Sequence, residues 1–152
     1  SVPGKTAVRF SKTATPQLKT DIKEGVREFE SKNYLKCISF FERLLVDNPD
    51  EAVCYWYMAL CFNQIEKPER AAGFLQKYIS LISSDKSGAN EGALKQAYTT
   101  LAYIYLKLGR YEQAREQYLK IIGLDSSSAA AASAREAMKR IDVIKKRSES
   151  EN

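Results

Sequence analysis

Between residues 18 and 128 one arrangement of small and large apolar side chains comes round three times. Gly25 is matched 34 residues later by Ala59, Tyr34 by Pro68, Cys37 by Ala71, Phe41 by Leu75 and Leu45 by Ile79. A third copy carries Leu101, Ala102, Tyr105, Gly109, Tyr111, Ala114, Tyr118 and Ile121 in the same order. The copies occupy 18–51, 52–85 and 95–128, and an insertion over 86–94 separates the second from the third. Apolar residues recur at helical spacing, and strand alternation is absent over any useful length. Each copy therefore predicts a helix, a tight turn and a second helix. The small pairs Gly25/Cys37, Ala59/Ala71 and Ala102/Ala114 mark where two helices approach closely, and Phe41, Leu75 and Tyr118 fill the space beside them. Gly109 suits a turn, and Pro68 the first turn of a helix. One such hairpin cannot bury its apolar face alone, so the copies must stack.

The ends read differently. Residues 1–14 mix Ser, Thr, Gly, Pro and Lys without periodicity and predict a mobile N-terminal arm. Thr15-Pro16 reads as a helix start, with Thr as N-cap. After the third copy, Ser126–Ser128 offer N-caps, and Ala134, Met138, Ile141 and Ile144 form one apolar stripe with Arg135, Lys139, Arg140 and Lys146 away from its centre. This predicts a capping helix over about 128–147 that closes the array, with 148–152 a disordered tail.

The three copies resemble the tetratricopeptide repeat family, whose pattern is Trp-x2-Leu-Gly-x2-Tyr, then Ala-x3-Phe, then Pro. The third copy fits best: Tyr98 stands in the Trp place, followed by Leu101-Ala102, Tyr105, Gly109, Tyr111, Ala114 and Tyr118. The second supplies Tyr55, Met58-Ala59, Phe62, Ala71 and Leu75. The first departs at its start, with Asp21, Glu24 and Glu28, and recovers with Gly25, Phe29, Tyr34, Cys37, Phe41 and Pro49. The resemblance implies an all-α, right-handed solenoid of three helix-turn-helix units over 15–147, the last helix capping it. It further implies that the first helix of each unit lines a concave face.

Composition removes other classes. The chain has no histidine, so Ser-His-Asp and Cys-His machinery and His-ligated zinc cannot be assembled. Cys37, Cys54 and Cys61 lack Cys-x-x-Cys spacing and read as small buried hydrophobes in a reducing compartment. No glycine-rich phosphate loop, metal cluster or activated nucleophile is present, so the expectation is no enzyme, no cofactor and no metal. No run approaches the roughly 18 apolar residues of a membrane helix. The net charge is +5, but residues 1–23 contribute +4 and residues 135–152 contribute +2, leaving −1 between them. A neutral body argues against a nucleic-acid surface. The expected compartment is cytoplasmic. A looser similarity of the third copy and cap to bacterial envelope members of the family makes the periplasm, or the soluble part of a membrane-anchored protein, the alternative.

On the face that the resemblance makes concave, helical spacing places Val26 and Phe29 from the first copy; Val53, Trp56, Tyr57, Leu60 and Gln64 from the second; and Gln96, Thr100 and Tyr103 from the third. The centre of this set is apolar and aromatic. It predicts a scaffold or adaptor that takes another protein's extended peptide or amphipathic helix. Self-filling by the arm, with Arg9-Phe10 as plug, and packing of Trp56 and Tyr57 into neighbouring helices are the competing outcomes. Family members that clamp acidic chaperone tails use Lys, Asn and Arg where this chain has Ile22, Val26, Tyr57, Gln96 and Thr100. A carboxylate needs cationic, hydrogen-bonding partners, so chaperone tails are not expected ligands. A structural subunit that self-associates, or assembles through its solenoid ends, is the alternative function.

Overall fold

The computed structural model describes residues 9–152. Those residues form seven helices: α1 Pro16–Glu30, α2 Tyr34–Asp47, α3 Ala52–Gln64, α4 Pro68–Ile82, α5 Glu91–Lys107, α6 Tyr111–Leu124 and α7 Ala129–Ser150. No strand occurs among the described residues, and the fold is an all-α helical repeat of the solenoid class. The chain divides into two compact units, the first ending at Lys86 and the second beginning at Ser87, at the start of the insertion.

In the first unit, Thr15 caps α1: its hydroxyl accepts the Leu18 N–H at 3.1 Å, with Pro16 in the first turn. Where α1 meets α2, Gly25 faces Phe41 so closely that an added Cβ would sit 2.5 Å from the ring's Cζ. Phe41, Cys37, Ala71 and Leu75 have no exposed surface, and Ala59 has almost none. The predicted small-large pairs are thus the contacts of the core. Burial pushes the Cys54 thiol up to about 12, aided by the Glu51 carboxylate. Cys61 is also raised, first by its hydrogen bond with Cys37 and then by burial.

Three hairpin turns share one geometry. Lys32, Glu66 and Gly109 each adopt a left-handed φ, at 63°, 57° and 70°. The following N–H reaches back five residues to a helix carbonyl: Asn33 to Glu28, Lys67 to Phe62 and Arg110 to Tyr105, each at 2.9 Å. This satisfies carbonyls orphaned at the helix end. Only the third turn uses the residue that adopts this conformation without strain.

In the second unit, α5 and α6 repeat the hairpin with Ala97, Leu101, Ala102, Ala114 and Ile121 buried. Helix α7 starts at the Ser128 cap, whose hydroxyl accepts the Ala131 N–H at 3.1 Å. It lays Ala131, Ala134 and Ile141 into the core. Arg115 pairs with Asp142 at 2.7 Å, and Lys145 with Glu112, tying α6 to α7. The helix continues through Ser148 to Ser150, beyond the predicted end at 147 and into the expected tail. No Gly or Pro follows Arg147 to stop it, and that cation in the last turn suits the helix dipole.

Candidate functional site

Helix α3 carries half of the predicted site. Its eleven residues from Ala52 to Phe62 include no charge. A helix apolar on every side is a buried helix. Nine of its residues are buried, among them Val53, Trp56, Tyr57 and Leu60. Trp56 is 2% exposed and its ring centroid lies 5.2 Å from that of Tyr78 on α4. Tyr57 takes Phe29 edge-on at 5.4 Å and stacks with Phe41 at 6.0 Å. Burial raises the Tyr57 and Tyr78 hydroxyls above the ordinary phenol value. Val26 is buried, and Phe29 and Gln64 are half-buried. The first unit therefore brings its predicted residues together as rings and aliphatic chains in mutual contact, rather than as a row of exposed side chains.

In the second unit the Thr100 side chain is buried, and its hydroxyl donates to the Gln96 carbonyl at 2.9 Å, one turn back. Gln96 itself is half-buried. Tyr103 is 47% exposed, with the Lys107 amino group 6.0 Å from its ring centroid. It is the one member of the predicted set that stands out from the surface. A concavity of 480 Å³ at the α1–α2 turn, lined by Tyr34, Leu35 and Ile65 among others, contains none of the predicted residues.

Residues 1–8 of the predicted arm lie outside the described residues. Residues 9–14 run as a turn into α1, with the Ala14 N–H on the Ser11 carbonyl at 3.2 Å. Ser11 donates its N–H to Glu51 Oε2 at 3.0 Å and its hydroxyl to Glu51 Oε1. Glu51 immediately precedes α3, is 3% exposed, and makes no capping bond to that helix. Its carboxylate turns to the arm. The Phe10 ring lies beneath the amino groups of Lys19 and Lys23, at 5.8 and 6.0 Å. Arg9 acts on the Tyr78 hydroxyl, opposing the upward push of burial. Sequence reasoning placed Arg9 and Phe10 as a possible plug but missed Ser11, Glu51 and Tyr78. A contact 40 residues apart leaves no periodic trace.

No group of three or more acidic, Cys or His side chains among the described residues could hold a metal ion. No helix among them is long and apolar enough to cross a membrane.

Paired helices, repeated three times at matched small-large contacts, define a helical-repeat protein. Residues 95–128 match the family model of the tetratricopeptide repeat. No curated protein sequence matches the chain. Among solved structures, PcrH in complex with the chaperone binding region of PopD superposes with a TM-score of 0.71 at 14% identity, over 88% of this chain and 97% of that one. The Yersinia enterocolitica type III secretion chaperone SycD, in complex with a peptide of the translocator YopD, gives 0.71 at 11%, over 89% and 99%. The first repeat domain of Spaghetti (RPAP3), bound to the HSP90 peptide SRMEEVD, gives 0.67 at 16%, over 88% and 98%. At these identities the likeness is one of fold. Residues 95–128 are thus identified as a tetratricopeptide repeat, and the chain as a whole shares the fold of proteins built from such repeats. The comparisons do not support the expected exclusion of chaperone tails, since an HSP90 peptide occupies one of these structures.

Proposed function

We propose that the chain is a non-catalytic interaction module that binds an apolar or aromatic-bearing segment of another protein. The observation that carries this reading is the repeat fold itself. Structures sharing it hold peptides, among them segments of PopD and YopD. Of the predicted residues, the ones with surface to offer such a contact are half-buried Phe29 and Gln64 in the first unit, and, taken separately, half-buried Gln96 and exposed Tyr103 in the second, while Val26, Val53, Trp56, Tyr57, Leu60 and Thr100 are packed inside their units. Aromatic rings are favoured anchors because each removes a large apolar area from water at little entropic cost. The buried Cys37, Cys54 and Cys61, all free thiols, favour a reducing compartment and so the cytoplasm.

Peptides selected by phage display on the full chain test the reading. The expected outcome is selection of aromatic-bearing sequences whose affinity falls about tenfold or more on Phe29→Ala or Tyr103→Ala. Tight binding of SRMEEVD with no aromatic peptide selected would overturn it.

A second reading, self-association through the C-terminal end, draws on Val143 and Ile144 of α7, which are 50% and 42% exposed. A mass by light scattering that rises with concentration, and stops rising on Val143→Asp, would establish it. A constant monomer mass would remove it.

A further inference from the structure

We propose that Arg9-Phe10-Ser11 is a resident ligand of the first unit, and that the partner is an extended segment with the same chemistry, which must displace it. This rests on the interaction-module reading and names the ligand class for it. Three residues of extended chain reach about 10 Å, and over that span the arm meets α1 and the carboxylate that precedes α3. Phe10 takes the place beneath Lys19 and Lys23 of α1. Ser11 supplies two donors to the carboxylate at the start of α3. Arg9 lies within electrostatic reach of Tyr78 on α4. Glu51 has no side-chain capping bond to α3, and a buried carboxylate without donors is costly. The arm answers that need from a stretch whose backbone belongs to no helix. A partner segment can do the same if it carries an aromatic residue followed by a hydroxyl or free N–H, with a basic residue before it. An acidic residue in the Ser11 place is refused, because it would set two carboxylates together.

The test uses the full chain, its Ser11→Asp and Phe10→Ala variants, and a fluorescein-labelled synthetic peptide copying residues 6–15. Ser11→Asp expels the resident arm by like-charge repulsion, and Phe10→Ala removes its anchor; both positions precede α1, and circular dichroism checks that helicity is kept. Fluorescence anisotropy should show both variants binding the peptide about tenfold or more tightly than the unaltered chain. Copies of the peptide with Ala for Phe, or Asp for Ser, should bind about tenfold less. Equal affinity of the three proteins for the peptide, or equal affinity of the altered copies, overturns the proposal. If display-selected aromatic peptides bind all three proteins alike, the module stands and the resident-ligand idea fails. If no peptide binds any of them, the interaction reading itself fails.

Discussion

Replacing a helical glycine by alanine should have opposite effects at two places in this chain. Gly25 lies inside α1 and Gly73 inside α4. Each substitution gains about 0.8–1 kcal/mol of helix propensity. At Gly73 a new Cβ meets nothing within 4 Å, so Gly73→Ala should stabilise by about that amount. At Gly25 the Cβ would sit 2.5 Å from Phe41 Cζ and 2.9 Å from both Cε atoms, so it strikes the ring end-on. Relief to ordinary contact needs a shift of roughly 1 Å. Phe41 has no free surface to move into, and stacks with Tyr57 at 6.0 Å. Overpacking of this kind costs about 1–3 kcal/mol. Gly25→Ala should therefore be less stable than Gly73→Ala by about 1–3 kcal/mol, a difference from which the propensity gain cancels. Urea unfolding followed by circular dichroism measures it. Phe41→Leu, which shortens the opposing side chain, should shrink the penalty of Gly25→Ala in a double-mutant cycle. A Gly25→Ala chain as stable as Gly73→Ala would refute the close-approach argument for the first hairpin, and with it the physical meaning of the small-residue pattern.

Other outcomes follow from the turns, the core and the thiols. Lys32→Gly and Glu66→Gly should each raise stability by about 0.5–1 kcal/mol by relieving left-handed strain, whereas Gly109→Ala should lower it by about 1 kcal/mol; thermal melts compare the three. Trp56 should emit at short wavelength and resist iodide quenching in the native chain, because it is 2% exposed; red-shifted, quenchable emission would contradict the described packing. Cys54 titrates at about 12 when folded against 9.0 in the free side chain. Its neutral form is what the fold favours, so that contribution is whole below pH 9 and is lost as pH rises toward 12. Native thiols should react with Ellman's reagent only as fast as the chain opens, and Cys54→Ala should flatten the loss of stability across that alkaline window.

Much of the architecture was legible because close packing forces a repeated choice of side-chain size. Gly25, Cys37, Ala59, Ala71, Ala102 and Ala114 are small for a reason that recurs every unit, and periodicity exposes it. The Thr15 and Ser128 caps were equally readable from their chemistry. Two of the three turns were hidden, since Lys32 and Glu66 occupy a conformation that glycine would advertise. The site was harder. Spacing assigned Trp56, Tyr57 and Leu60 to one face of α3, yet a helix without a charged residue over 52–62 has no face to give to water. That signal was present and pointed to burial. The Ser11–Glu51 contact had no counterpart in pattern: a serine in an aperiodic stretch and a glutamate before a helix each look like ordinary surface residues.

The burial of α3 on all sides also bears on how the chain is made. Synthesis runs from the N terminus, so α1 and α2 emerge first and α3 follows before the α4 residues that cover it exist. For the time needed to add α4, Trp56 lacks its partner Tyr78, and Tyr55 and Phe62 lack Phe74. The nascent chain then carries an uncharged, aromatic-rich segment of the kind that aggregates or recruits holding chaperones. Slowed elongation between residues 62 and 82 should therefore lower the yield of folded protein more than an equal delay after residue 86, where the first unit is already complete.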